Sequence, residues 1–321
     1  MQVVNHQFKK NELLLKSSVL PDISFKSLSA LGALVIIVLI ALVGFELYEK
    51  SKISIHQFGV GFTHTTTWDP AADVYGALPF IYGTLVSSIL ALIFAVPLGI
   101  GSALFISEIA PLRYRQMLIS TIELLASVPS VIYGLWGIFV LIPWMRDHVY
   151  PGLQDALGFL PFFKGPIYGV SMLSGGIVVA VMILPIITSF SREILRSVPD
   201  TQREAAYALG ATRWEVIKIA VLSYAKRGLY GAGILGLGRA LGETMAITMV
   251  IGNSPVISSS LFAPGYTLAS VIANEFTEAT TDMHLSSLFE LGLVLLVITL
   301  IVNAIAQLML RQLTIGEVEK A

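Results

Sequence analysis

Apolar residues fall in long unbroken blocks along this chain, separated by shorter polar stretches, with no sustained two-residue alternation of the kind that marks strands. A polar segment, 1–27, precedes a first block at about 28–48, and a second polar segment covers about 49–77. Further blocks follow at about 78–106, 117–142, 169–190, 228–252 and 285–310. Each holds about 20 residues or more, the length a helix needs to cross roughly 30 Å of hydrocarbon. The pattern predicts an all-α polytopic membrane protein with six transmembrane helices. The first block ends in Phe45-Glu46-Leu47-Tyr48, without a small-residue cleavage site, so it reads as a retained span rather than a leader.

The segments between blocks differ in kind. Residues 143–168 mix aromatic, proline and charged positions and suit a membrane-surface loop with a short amphipathic helix. Residues 191–227 form a charged, helix-forming loop, 253–283 a polar segment, and 311–321 a short polar tail. Pro97, Pro129 and Pro185 lie inside blocks and predict kinks.

Composition supports this reading: 55% of the 321 residues are hydrophobic and 13% charged, about half the charge of a soluble domain. The formal net charge of −1 conceals a strong asymmetry. Fifteen Lys and Arg fall in the tails and alternate loops of one side, four in those of the other, and Arg239 lies within a block. Basic residues gather on the cytoplasmic side. Both termini and the 191–227 loop are therefore expected inside, and the 253–283 segment outside. The absence of cysteine excludes disulfides and thiolate chemistry, and the five histidines show no metal-ligand spacing. No GxxxxGK[ST] sequence occurs, so no P-loop binds ATP here, and no HExxH or GxSxG suggests an enzyme. Neither a catalytic residue, a metal, a cofactor nor a nucleic-acid partner is expected.

The stretch from Glu204 to Asn253 carries the chemistry. Asp200 or Thr201 caps a helix through Glu204, Ala205, Ala206 and Leu209, Gly210 stops it, and Thr212 starts another. Helix, glycine turn and helix make a knob that suits a partner's groove. The next block sets Gly228, Ala232, Gly236 and Ala240 four residues apart, a ladder that admits a close helix neighbour. Arg239 lies eleven residues beyond Gly228, about 16 Å into the membrane, with Glu243 one turn further. Ionisable groups at that depth are costly and tend to be functional. Two readings stand: Arg239 meets an anion with Glu243 as its counter-ion, or the two form a structural pair. Glu123 and Glu290 sit near span ends and are expected at the interface, whereas Glu46 and Glu108 are expected in solvent. Trp68, Asp69 and Tyr75 fall outside the blocks, as interfacial anchors or as contacts for an outer protein.

Glu204-Ala205-Ala206, three residues and then Gly210 resembles the cytoplasmic EAA loop of type I ABC importer permeases. That family's Ile-x-Leu-Pro ending is here Ala220, Val221, Leu222 and Ser223. YGALPFIYGTLVSS (75–88), ELLASVPSVIYGLWG (123–137) and GLGRALGETMAITMVIGN (236–253) are similar to the PstC-type permeases of phosphate importers. The resemblance spans roughly 75–310 and implies a MetI-like core in the cell inner membrane, with the first span as a prefix. It also implies three partners: a second permease of PstA type, an ATPase dimer of PstB type that binds the ATP, and a phosphate-binding protein of PstS type. Another oxyanion, molybdate or sulfate, and an ion-coupled secondary transporter remain the alternatives.

Overall fold

A computed structural model describes residues 2–318, with side chains from 25 to 310; the charges of Lys9, Lys10, Lys16, Arg311 and Lys320 lie outside those side chains. Ten α-helices are named here: α1 (Gln2–Phe58), α2 (Leu78–Leu104), α3 (Leu112–Ser127), α4 (Ser130–Leu157), α5 (Met172–Arg196), α6 (Asp200–Ala208), α7 (Ser223–Leu241), α8 (Met245–Val250), α9 (Leu268–Glu275) and α10 (Asp282–Val318). No strand occurs among the described residues, only isolated bridges at Asp69–Val74 and Gly252–Gly265.

The chain divides into two units, Met1–Lys50 and Ser51–Ala321. In the first, α1 runs through the predicted span and exposes Leu34, Ile37, Leu39 and Val43. It continues past the expected boundary at residue 49 because no glycine or proline occurs between that residue and Gly59, whose φ of +52° ends it.

In the second unit α5 is central, packed by α2, α3, α7 and α8. Val178, Ile183, Ile187 and Leu195 are fully buried along it. Close approach explains its glycine neighbours. A Cβ on Gly99 of α2 would lie 2.8 Å from Ile187, and one on Gly176 of α5 would lie 2.7 Å from Leu90. Pro97 and Pro185 sit within unbroken α2 and α5.

Pro129 behaves differently: α3 and α4 meet there at 92°, so the single block expected at 117–142 is an elbow. Proline disfavours helical geometry at the residue before it, and Val128 is extended at ψ 128°. The short helix expected within 143–168 is continuous with α4 and runs to Leu157.

Among the described residues four helices are long and apolar enough to cross a membrane, and the bent α3–α4 pair makes a fifth if it is one span. The place of the remaining block is taken by α7 and α8, which glycine and a polar turn separate at Gly242, Glu243 and Thr244. The segment 253–283 also departs from a simple polar loop. Thr267 and Ser270 form a reciprocal cap that starts α9, and Leu268 and Val271 are fully buried beneath it.

Candidate functional site

The knob is built as a short capped hairpin. Asp200 opens α6, and at its other end Gly210 donates to the Tyr207 carbonyl (2.9 Å) and Ala211 to that of Ala206 (3.2 Å). This paired closure needs a left-handed residue, and Gly210 supplies it at φ +84°. A Cβ there would touch nothing, so the glycine is required by conformation rather than by space. Thr212 then caps the following turn with Glu215, whose carboxylate accepts from the Thr212 amide and hydroxyl, both at 2.7 Å. Those bonds, the backbone one foremost, hold Glu215 below the usual carboxylate range. From there a wider π-helical segment, Val216–Leu222, leads into α7.

The knob has two faces. Ala206 turns inward onto Val216 and Ala220. Glu204 and Ala205 face outward, with Tyr207 51%, Leu209 88% and Trp214 63% exposed. A rigidly closed turn that holds large apolar groups in the open has the composition of a docking surface.

Two further arginines, which the sequence did not single out, tie the knob down. Arg203 donates to the carbonyls of Val198 (2.6 Å) and Leu195 (3.1 Å), to Asp200 (3.2 Å) and to Glu108 (3.0 Å). Arg213 donates to the Glu108 carbonyl. Glu108 is therefore not solvated as expected; its side chain is 15% exposed and ion-paired to Arg203.

Within α7 the small residues lie where the spacing put them. Ala232 and Ala240 are buried, and a Cβ on Gly228 or Gly236 would come within 2.5 Å of Ile194 or 2.7 Å of Ile187 on α5. Arg239 and Glu243 are not paired as i, i+4 neighbours. The helix ends at Gly242 between them, and the Glu243 carboxylate turns to accept from the Ala246 amide of α8 at 3.0 Å. Glu243 is 8% exposed, whereas Arg239 is exposed and no hydrogen bond or ion pair of the described residues reaches its guanidinium. An unmet helix amide is an acceptor's partner of choice, which accounts for the capture of Glu243 by α8 rather than by Arg239.

Far along the chain from the knob, Trp68 and Tyr75 belong to a packed cluster. Trp68 donates to Glu275 at 2.8 Å, His284 Nε2 lies 3.1 Å from the same oxygen, and the Tyr75 ring stacks on His284 at 5.5 Å between centroids. Burial, as the main cause, pushes the Tyr75 and Tyr266 hydroxyls up to about 12. Asp69 remains exposed in a turn, accepting from Ala71 and Ala72. An open hollow of about 650 Å³ lies beside the cluster, walled by Trp68, Tyr266, Glu275, Glu278 and Asn253. Of the remaining carboxylates, Glu123 is exposed, whereas Glu290 is 6% exposed and sits beside Ser54. Among the described residues no group of His, Cys, Asp and Glu could hold a metal ion.

Comparison with solved structures gives the fold. The chain superposes with a TM-score of 0.51 on the inward-facing MetNI methionine ABC transporter, covering 74% of this chain and 94% of that one at 16% identity. The same score relates it to a bacterial ABC transporter that imports alginate, at 18% identity over 74% of this chain and 79% of the other. The MetI-like helical arrangement is thus shared, and the apolar helices make this a multi-pass membrane chain.

At the level of sequence, residues 95–315 match the family model of binding-protein-dependent transport system inner membrane components. The chain is 46% identical to the phosphate transport system permease protein PstC of Xylella fastidiosa (strain 9a5c), over 91% of each. It is 45% identical to that of Haemophilus influenzae, over 90% of this chain and 93% of the relative, and 43% identical to that of Mesorhizobium japonicum, over 92% and 91%. The chain belongs to this family of ABC importer permeases, in its PstC-type branch.

Proposed function

We propose that the chain is the permease subunit of an ATP-driven importer for inorganic phosphate. It lines the path together with a second, PstA-like permease, receives the anion from a PstS-like binding protein and is driven by a PstB-like ATPase dimer, which binds the nucleotide. Both termini and the knob face the cytoplasm, as the distribution of basic residues favours. Phosphate, rather than another oxyanion, is supported by the names of relatives more than 40% identical along nearly the whole chain.

The observation that carries the reading is the knob: Glu204 to Gly210 closed by a glycine turn, with Tyr207, Leu209 and Trp214 held out. The ATPase grips that outer face and moves α7 through the π-helical segment. Arg239, open on the surface of α7, meets the passing anion or gates it at the seam with the second permease. A guanidinium offers a planar fork that fits two phosphate oxygens. Contact has to be brief, since a conducting site must also release.

The chain has no cysteine, so a single cysteine placed at Leu209 is a unique cross-linking handle. In the assembled complex it is expected to link to the ATPase, and proteoliposomes are expected to take up phosphate in preference to sulfate and molybdate. A cysteine at that position that reaches only lipid would remove the docking reading. Equal uptake of the three anions would leave an importer of broader oxyanion range.

A further inference from the structure

The outer face of the knob explains docking but not how a push on it reaches the membrane helices. Arg203 stands immediately before Glu204, on the opposite, inner face of α6. Its side chain, 18% exposed, makes four bonds to three separate parts of the fold. The Leu195 carbonyl belongs to the last turn of α5, where a helix leaves its last acceptors unmet, and Val198 follows two residues past its end. Asp200 belongs to the first turn of α6. Glu108, 95 positions earlier in sequence, lies in the π-helical turn Phe105–Ile109 that ends α2.

Beneath these polar contacts is a small apolar core that joins the same parts. Ala103 of α2, Leu195 and Val198 at the end of α5, and Val221, Ala225 and Leu229 on the way into α7 are all buried together. Arg213, on the far limb of the knob, holds the Glu108 backbone from the other side. The end of α2 is therefore clasped by both limbs of the knob, one through a side chain and one through a carbonyl.

We infer that Arg203 and Glu108 are positioning residues for transport: a strut that makes α2 and α5 move with the knob when the ATPase moves it. The geometry favours a strut over a surface ion pair. Both side chains are mostly shielded, so solvent and salt screen the contact little. The guanidinium fork also fixes direction, because one nitrogen spans from the Leu195 carbonyl to Glu108 while the other holds the Val198 carbonyl and Asp200. The side chain of Glu204, its neighbour, is exposed and meets no hydrogen bond or ion pair among the described residues.

The proposal rests on the reading of the knob as the ATPase dock, and the test separates the two. Arg203→Lys, Arg203→Gln, Glu108→Gln and the double variant Arg203→Gln with Glu108→Gln are compared with wild type as complete complexes in proteoliposomes. The measured quantities are phosphate taken up, ATP hydrolysed and ATPase retained on purification. Loss of the strut is expected to lower phosphate moved per ATP by about tenfold, the scale of one lost charge-assisted hydrogen bond, with the ATPase still bound. The double variant should be no worse than the poorer single one, because both remove the same contact. Arg203→Lys should fall between, keeping the charge without the fork. Glu108→Gln changes least in shape and serves if an Arg203 variant fails to assemble. An unchanged ratio in an intact complex would overturn the strut. A fall in uptake and hydrolysis that only tracks lost ATPase would do the same, since a bracing role predicts that and no more. Wild type that retains no ATPase would instead bring down the docking reading, and the strut with it.

Discussion

Arg203 and Arg239 each have a glutamate that charge alone would assign to them, and the fold treats the two couples in opposite ways. Arg203 and Glu108 are 95 positions apart, yet they meet at 3.0 Å with both side chains largely shielded. Arg239 and Glu243 are four positions apart on what begins as one helix, yet Gly242 breaks it and Glu243 caps α8 instead. The inner couple is committed to holding helix ends together. Arg239 is left open, and a cation that no group among the described residues pairs suits the proposed role of meeting something that passes. Closeness in sequence is thus a poor guide to pairing wherever glycine can turn the backbone between two charges.

The strongest way to break the contrast is to neutralise the open arginine. Arg239→Gln in the assembled importer is expected to lower phosphate uptake roughly ten- to hundredfold, equivalent to the loss of one charged hydrogen bond of about 1.5–3 kcal/mol. Arg239→Lys should recover part of that. Normal uptake with normal assembly in Arg239→Gln would mean the guanidinium does not meet the anion. Next in size is Gly210→Ala. A left-handed conformation costs a residue with a Cβ about 1–2 kcal/mol. ATPase affinity, measured by titration of the solubilised permease, should therefore weaken about five- to thirtyfold. An unaltered affinity would show that the turn does not set the docking face.

Glu243 then sharpens the comparison. Glutamine still offers an oxygen to the Ala246 amide, so Glu243→Gln should change uptake by no more than about twofold, while Glu243→Ala loses a cap of about 1 kcal/mol. A defect in Glu243→Gln as deep as that of Arg239→Gln would restore the counter-ion reading. The smallest effect is expected far from both couples. Tyr75 and Tyr266 are held neutral, with hydroxyls pushed up to about 12 from 10.0. Raised values mean that their contribution to stability is complete below about pH 10 and disappears as pH rises through about 12. Absorbance of tyrosinate should show late titration that diminishes when Tyr75 or Tyr266 is replaced by Phe, with no change in transport near neutrality.

Much of this was legible beforehand, and the failures share a cause. The apolar blocks gave the membrane class because each is a local property of about 20 residues. Gly210 was legible as a helix stop because left-handed closure has a residue signature of its own. The Pro129-Ser130 break was visible too, but its 92° angle depends on how α3 and α4 pack. Glu108 read as solvated because nothing in its neighbourhood reveals an arginine 95 residues later. The break at Gly242 was hidden for a subtler reason. The glycines of α7 fit close packing equally well, as Gly228 and Gly236 do against α5. Segment 253–283 read as polar because Thr267 and Ser270, which cap α9, look from sequence like loop residues.

The beginning of α5 carries a last consequence. Its first four amides all have acceptors within the chain: Met172 bonds to the Ala263 carbonyl and Leu173 to that of Leu261, each at 2.9 Å. Ser174 and Gly175 bond to the hydroxyl and carbonyl of Ser171. A bare helix start is a natural trap for oxyanions. By folding residues 261–263 over this one, the protein leaves no sink there in which a doubly charged traveller would stall.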